Sequence, residues 1–90
     1  MKSSNRIKSV IAIFADGTKK DFDTRGKLHR SNGAAIEYSD GSKSYYRHGY
    51  LHREDGPAVV RSSGKSRYYL FNKAVNRYDV KIRLANKLSA

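Results

Sequence analysis

The residues best suited to chemistry in this 90-residue sequence are tyrosines and basic side chains that lie near one another along the chain. Aromatic rings beside Arg and Lys can stack on unpaired bases and neutralise phosphates, and stacking contributes about 1–3 kcal/mol per base. We predict a nucleic-acid or partner-binding surface with ten members: Tyr45, Arg47, Arg61, Lys65, Arg67, Tyr68, Arg77, Lys81, Arg83 and Lys87. A solvated basic face, in which tyrosine is simply a good strand former, explains the same residues.

The net charge of +11 comes from 19 Lys and Arg against 8 Asp and Glu. Charge at this density favours a polyanionic partner, either nucleic acid or an acidic protein surface. The charge is also segregated, since residues 1–30 carry net +5, residues 31–60 net −1 and residues 61–90 net +7. The basic segment 1–8 is either an arm that reaches nucleic acid or a disordered terminus.

The sequence offers little for catalysis or metal binding. It has no Cys, which excludes disulfides and thiolate metal sites, and only 3 His. No Ser lies in a nucleophile elbow, and most of the carboxylates fall in turns, where hydrogen bonds to the backbone explain them. We therefore predict no catalytic residue, no metal, no cofactor and no enzyme activity. The apolar run 10–15 is too short for a signal peptide or a membrane span, which predicts a soluble cytoplasmic protein.

An internal repeat organises the chain. Residues 26–35, G-K-L-H-R-S-N-G-A-A, return as residues 49–58, G-Y-L-H-R-E-D-G-P-A, at an offset of 23. At the same offset Gly41 meets Gly64, and the Tyr pair 45–46 meets the pair 68–69. An earlier, degraded copy aligns the Asp-Gly pair 16–17 with the pair 40–41, and one inserted residue before Gly26 restores the phase.

Each copy consists of a β-prone run, a turn pair and a second run. The first runs cover residues 10–15, 35–39 and 58–62, and the second cover residues 20–24, 43–48 and 66–71. Asp-Gly between such runs predicts two-residue type I′ hairpins. The predicted fold is therefore mainly β, an antiparallel meander of three β-hairpin repeats of about 23 residues with a C-terminal helix. Residues 1–8 form the arm, 9–73 the sheet and 74–90 an amphipathic basic helix.

Strand periodicity assigns Phe22, Tyr46 and Tyr69 to the core face, and Tyr45 and Tyr68 to the opposite face. Two glycines after the repeated His-Arg pairs, Gly33 and Gly56, are predicted to take backbone angles closed to other residues. In the helix, the residues at helical spacing are predicted to face the sheet, and these are Val75, Tyr78, Ile82, Ala85 and Leu88. Asn76 or Asp79 is predicted to cap the helix.

The repeated pairs His29-Arg30 and His52-Arg53 allow two interpretations. A histidine ladder for a metal is disfavoured because neither cysteine nor suitably spaced carboxylates accompany it. The favoured interpretation has each imidazole bonded to a carbonyl of an inter-repeat turn. The role of the two arginines, structural or functional, stays open.

The motif L-H-R with the following G-x-A, the 23-residue period and the Asp-Gly hairpins resemble MORN-type repeats over residues 10–73. They are more closely similar to a variant, L-H-R-x-D-G-P-A, of small bacterial and bacteriophage proteins. The resemblance implies an elongated, twisted sheet of stacked hairpins, and roles in protein contact, dimerisation or lipid association that have no residue signature. Copy one departs from the pattern, since it carries Asp21-Phe22 where the others carry Tyr-Tyr.

These observations favour a non-enzymatic module that binds a polyanion, most plausibly nucleic acid. The alternative is a phage-type protein-interaction module that inhibits a host enzyme or defence complex by covering its acidic or nucleic-acid-binding surface. Lipid ranks lowest, because the apolar residues of the helix, such as Tyr78 and Ile82, are expected in the core. Open sheet edges also predict self-association as a homodimer.

Overall fold

The computed structural model describes residues 9–89, with side chains to residue 87, so the predicted arm 1–8 lies outside the described residues. The strands are β1 Val10–Ile13, β2 Lys19–Phe22, β3 Ile36–Glu37, β4 Lys43–Ser44, β5 Tyr46–Arg47, β6 Tyr50–Leu51, β7 Val59–Val60, β8 Ser66–Leu70 and β9 Lys73–Val75. The helix α1 covers Arg77–Ser89. The predicted mainly β hairpin fold with a C-terminal helix is confirmed.

The main sheet is a thin antiparallel layer. Its seven strands lie in the order β1-β2-β3-β4-β7-β8-β9, and β5 and β6 form a separate two-stranded sheet. The molecule measures 46 × 36 × 17 Å, so its thickness is that of one sheet with one helix against part of it. The first two repeats contribute two neighbouring strands each to the main sheet and the third contributes three, which makes the sheet a linear stack of repeats.

The first turn of each repeat is a three-residue loop. In copy one, Phe14 N–H donates to Thr18 O at 2.8 Å and Gly17 N–H to Phe14 O at 2.9 Å, and the same pair of bonds recurs in the other copies. Only the glycine has positive φ, at 93°, 91° and 94° in the three copies. The predicted two-residue type I′ turns are therefore wrong here, because the loop is one residue longer and a single glycine completes it.

A second turn in each repeat adds a short third strand that the sequence analysis missed. Copies two and three use the two-residue type I′ geometry there, with φ of 46° and 90° at His48 and Gly49, and of 49° and 69° at Phe71 and Asn72. The inserted residue of copy one lengthens this turn to three residues, closed by Gly26 at φ 84°. The resulting strands are β6 and β9, and copy one has a single bridge between Phe22 and Leu28.

Neighbouring repeats are joined by backbone hydrogen bonds that recur at the same register. The Arg30 N–H donates to Tyr46 O at 3.3 Å, and the Arg53 N–H donates to Tyr69 O at 3.2 Å. The second strand of each repeat also pairs with the first strand of the next, β2 with β3 and β4 with β7. The joins therefore depend on strand geometry more than on side-chain identity.

The core consists of small side chains. The buried apolar residues are Ala34, Ala35, Ile36, Ala58 and Val80. The predicted aromatic core is wrong, since Phe22, Tyr46 and Tyr69 are only half-buried, like Tyr45 and Tyr68 on the other face. A thin sheet without a second layer over most of its area cannot enclose large rings, and alanine allows neighbouring repeats to approach closely.

Helix α1 packs through a different face from the predicted one. Val80 is buried and Leu84 half-buried, whereas Tyr78 is 62% and Ile82 59% exposed. The predicted apolar stripe is therefore wrong, and so is the reason for ranking lipid lowest, namely that Tyr78 and Ile82 belong to the core. Val75 lies before the helix, in β9, Ala85 is exposed, and the Leu88 side chain lies outside what is described.

Both predicted capping residues close the start of α1. The Asp79 N–H donates to Asn76 Oδ1 at 3.0 Å, and the Asn76 N–H donates to Asp79 Oδ2 at 3.2 Å. These reciprocal bonds form a capping box with Asp in place of Glu, which satisfies two otherwise unpaired N–H groups.

Candidate functional site

The repeated histidines hold the second turns in place. His48 N–H donates to His29 Nδ1 and Phe71 N–H donates to His52 Nδ1, both at 3.0 Å. Because Nδ1 accepts a hydrogen bond, each ring is a neutral imidazole with its proton on Nε2. Burial lowers the pKa of both rings and favours that neutral form. The histidines therefore support turns, but the predicted bond to a carbonyl is wrong, since each ring accepts a backbone N–H from a turn 19 residues further along the chain.

The repeated arginines fold back over the repeated glycines. Arg53 Nη1 donates to Pro57 O at 3.1 Å, and Arg30 lies in the equivalent place. A Cβ at Gly56 would lie 2.9 Å from the guanidinium carbon of Arg53, and one at Gly33 would lie 3.0 Å from that of Arg30. Neither glycine has positive φ, so the prediction of special backbone angles is wrong, and the close approach of an arginine is the physical reason for glycine.

Each of these arginines also covers the residue at the aromatic position of its repeat. The Arg53 guanidinium lies 4.0 Å from the centroid of the Tyr45 ring, a cation–π contact. Copy one has Asp21 there, and Arg30 Nε lies 3.9 Å from its Oδ2. The departure of copy one from the repeat pattern is therefore matched by an ion pair in place of a ring contact.

The first candidate site is the inter-repeat cleft, a space of about 640 Å³ beside the C-terminal half of α1. It brings together three residues of the predicted surface, Tyr45, Arg47 and Lys87. Its full lining consists of Arg30, Ser31, Asn32, Gly33, Tyr45, Arg47, His52, Arg53, Glu54, Asp55, Leu84 and Lys87. Four cations and two carboxylates line the cleft, so its charge is mixed.

Glu54 at this cleft anchors the helix. Its Oε1 accepts from Lys87 Nζ at 2.7 Å and its Oε2 accepts from Arg83 Nε at 3.3 Å. His52 Nε2 lies 3.3 Å from Oε2 without hydrogen-bond geometry. The Lys87 hydrogen bond is the main cause that lowers the pKa of Glu54 to about 2. Arg83 and Lys87, both predicted for the binding surface, are thus engaged within the chain.

The second candidate site is the end groove, a space of about 480 Å³ lined by Lys65, Ser66, Arg67, Tyr68, Ala74 and Val75. No carboxylate lines it. Arg61 lies beside it, since its N–H donates to Lys65 O at 2.8 Å across the turn, and its side chain is exposed. The structure therefore gathers four predicted residues at the third hairpin, but it separates Tyr68 from Tyr45, which lines the inter-repeat cleft.

The two remaining predicted residues, Arg77 and Lys81, are exposed on the first two turns of α1. The Arg77 guanidinium lies 5.8 Å from the centroid of the Tyr78 ring. Because β9 lines the end groove and leads into α1, these cations continue the basic surface of the third repeat.

Within residues 9–87, every carboxylate has a hydrogen-bond or ion-pair partner in the chain, whereas most Lys and Arg side chains form no ion pair. All 8 Asp and Glu accept a hydrogen bond or ion pair from within residues 9–87. Of the 16 Lys and Arg in that range, four form ion pairs (Arg30, Arg53, Arg83 and Lys87), which leaves twelve without one. Those twelve are Lys19, Lys20, Arg25, Lys27, Lys43, Arg47, Arg61, Lys65, Arg67, Lys73, Arg77 and Lys81.

Sequence reasoning left some of the basic-aromatic surface unassigned. Arg30 and Arg53 line the inter-repeat cleft, and the offset of 23 residues that relates them was a usable signal, since it places both arginines at one register. A further groove of about 480 Å³ joins the exposed Tyr50 to Arg25 and Lys27. The proximity of Tyr50 to Arg25 and Lys27 depends on the second turn of copy one, which the local sequence does not predict.

The chain matches no protein-family model, no curated protein and no solved structure. Within residues 9–89, no cluster of three or more His, Asp or Glu is placed to hold a metal ion. In the same range, α1 is too short and too polar to cross a membrane.

Proposed function

We propose that the chain is a non-enzymatic binding module for a polyanion, and that this polyanion is nucleic acid. The proposal is supported by the excess of cations within residues 9–87: every carboxylate has a partner in the chain, whereas twelve Lys and Arg side chains form no ion pair. Like charges on a thin molecule repel one another, and a polyanion relieves that repulsion while releasing its own counterions.

The end groove and the start of α1 are the proposed contact region. Residues 61–90 carry eight basic groups and one acidic group, which gives this third of the chain the highest net positive charge. Lys65 and Arg67 would neutralise phosphates. Tyr68, which follows Arg67 in β8 and lines the same groove, would stack on a base. Tyr45 contributes less, because Arg53 already covers one face of its ring.

The inter-repeat cleft favours a second candidate function. Its four cations and two carboxylates suit a mixed-charge protein surface better than a uniform phosphate backbone. This candidate is a protein-interaction module that covers an acidic or nucleic-acid-binding surface of a host enzyme or defence complex. Membership of the MORN-like variant of small bacteriophage proteins, which stays a proposal, would be compatible with either function.

The test is binding of the pure chain to labelled single- and double-stranded DNA and RNA between about 50 and 200 mM salt, where phosphate-driven affinity falls steeply. The double variant Lys65→Ala/Arg67→Ala should reduce the slope of log affinity against log salt by about 1.4 on single strands, at about 0.7 per lost phosphate contact. Lys20→Ala/Lys43→Ala, with the same charge loss at residues that line none of the three grooves, is the matched control and should leave the slope nearly unchanged.

Tyr68→Ala should lower single-strand affinity by the equivalent of about 1–3 kcal/mol, while Tyr45→Ala has a smaller effect. Equal losses in both double variants would show diffuse charge attraction and remove the end groove from the proposal. Absence of binding at 50 mM salt would refute nucleic acid as the partner. A stoichiometric protein complex that survives nuclease treatment would then support the second candidate.

A further inference from the structure

The outer edge of β1 is an apolar strand edge with no neighbouring strand among residues 9–89. Its side chains are exposed apart from the half-buried Ala12, and Ile13 is the most exposed at 75%. No charged residue lies between Ser9 and Ala15, and no proline interrupts the strand. Proteins usually protect such edges with Lys or Pro, because an open, uncharged edge is a template for another strand.

In the other two repeats, the strand equivalent to β1 is paired at this edge with another strand. By its place before the turn, Ile13 corresponds to Glu37 and Val60. Glu37 pairs with Lys19 and Val60 pairs with Lys43, each an antiparallel contact with the preceding repeat. Within residues 9–89 no repeat precedes copy one, so among these residues no strand occupies the position beside β1 that β2 and β4 occupy beside β3 and β7.

The backbone of β1 is oriented to accept such a strand. Phe14 N–H donates across the hairpin to Thr18 O at 2.8 Å. Because N–H directions alternate along a strand, the N–H groups of Ile11 and Ile13 face away from β2, toward the open side.

The side chains at this end also differ from those at the internal joins. The residues that correspond to Ile11 are Ala35 and Ala58, both fully buried where one repeat closes on the next. Copy one places isoleucine there, and the strand then leaves more than half of that side chain exposed. The opposite edge, β9, carries Lys73 and leads directly into α1, so the two ends of the sheet are not alike.

We propose that β1 pairs antiparallel with β1 of a second copy of this chain, about a two-fold axis at Ala12. Ile11 of each copy then faces Ile13 of the other, and Val10 faces Phe14. This register places the outward N–H and C=O groups of both strands opposite one another. The two seven-stranded sheets become one of fourteen strands, and the isologous contact closes after two chains.

A second copy fits this edge because the strand is nearly symmetric in size and polarity about Ala12. Residues 9–15 carry no charged side chain, so the paired segments place no like charges directly opposite one another although each chain has a net charge of +11. Only one short strand from each chain forms the contact, which puts the dimer in the class of weak interfaces below about 1,200 Å². Added salt should strengthen the dimer by screening repulsion, whereas it weakens nucleic-acid binding.

The experiment is sedimentation equilibrium of the full chain, free of nucleic acid, over a concentration series at low and high salt. We expect a monomer–dimer equilibrium that Ile13→Lys weakens roughly tenfold or more, because the dimer carries the substitution twice. Ile82→Lys adds the same charge at an exposed site on α1 and should leave the dimer constant unchanged. Monomer at every attainable concentration, or equal effects of both substitutions, would overturn the proposal.

Amide hydrogen exchange identifies what covers the edge. The Ile11 and Ile13 amides should exchange rapidly in dilute solution and slow down as the concentration rises. Slow exchange in a chain that sediments as a monomer would show that the chain's own residues 1–8 cover the edge, and would reject the second copy. Ile13→Lys should retain its nucleic-acid affinity, so failure of the dimer and failure of the proposed function are separate results.

Discussion

Replacement of Glu54 by glutamine tests how α1 is attached to the sheet. The carboxylate accepts from Lys87 at 2.7 Å and from Arg83 at 3.3 Å. Glu54→Gln keeps the size and shape of the side chain and one acceptor oxygen, but it removes the charge that both cations approach. We expect a less stable chain whose helix opens more often.

The magnitude follows from the pKa of Glu54, which falls from 4.5 to about 2 in the folded chain. At about 1.4 kcal/mol per pKa unit, this sets an upper limit of about 3 kcal/mol for the charged interaction. The glutamate side chain is only 19% exposed, but both cations are more open to solvent, which screens the pairs. We therefore expect Glu54→Gln to lower the free energy of unfolding by about 1–2 kcal/mol at pH 7.

The same pKa fixes the pH dependence. Because the pKa of Glu54 is lower in the folded than in the unfolded chain, ionised Glu54 stabilises the fold fully above about pH 4.5. That stabilisation is lost as the pH falls toward 2 and the folded chain binds the proton. The difference between the parent chain and Glu54→Gln should thus be largest near neutrality and vanish near pH 2.

Urea unfolding followed by tyrosine fluorescence, repeated across this pH range, measures the difference, and hydrogen exchange shows whether α1 opens. Asp55→Asn is the matched control, since Asp55 is well exposed and its carboxylate pairs with Arg53 alone. An unchanged free energy of unfolding in Glu54→Gln at pH 7, or a difference that persists at pH 2, would refute the reasoning. A loss of equal size in Asp55→Asn would show that general charge, and not the helix anchor, is responsible.

Three further results are expected from urea unfolding. Acidification from pH 7 to 5 should destabilise the chain, because the pKa of His52 lies below its usual 6.5 and protonation removes the acceptor of the Phe71 N–H. His52→Asn should reduce this pH dependence of the free energy of unfolding, and an unchanged pH dependence in that variant would contradict the explanation. Gly64→Ala should cost about 1–2 kcal/mol through its φ of 94°, although the space around it is open. Gly56→Ala should instead act by displacing Arg53, so its cost should largely disappear in an Arg53→Ala background, whereas that of Gly64→Ala should persist.

The repeat and the positions of the first turns could be predicted from sequence, because Asp-Gly pairs and the 23-residue offset are local signals. The type of each turn could not. Asp-Gly serves three-residue loops as well as type I′ turns, and strand register decides between them. The type I′ geometry occurs instead at the second turns, for example at Phe71-Asn72, where Phe is an unusual residue at positive φ and His52 accepts the Phe71 N–H from 19 residues earlier in the chain.

The orientation of α1 shows a second limit. The helix carries two apolar stripes, one with Tyr78 and Ile82 and one with Val80 and Leu84, and their periodicity alone does not rank them. The contacts of Glu54 with Arg83 and Lys87 span 29 and 33 residues and turn the second stripe toward the sheet. The same contacts place Arg83 and Lys87, two cations of the predicted binding surface, in ion pairs within the chain, which the local sequence pattern does not predict.

The backbone joins between repeats make the length of this protein adjustable. Arg30 N–H to Tyr46 O and Arg53 N–H to Tyr69 O are main-chain bonds, so one more 23-residue unit could be inserted between two copies without a new set of core side chains. Each unit adds two strands, or about 10 Å, to the main sheet. Duplication of a short stretch of coding sequence would therefore lengthen the basic surface in steps of one repeat.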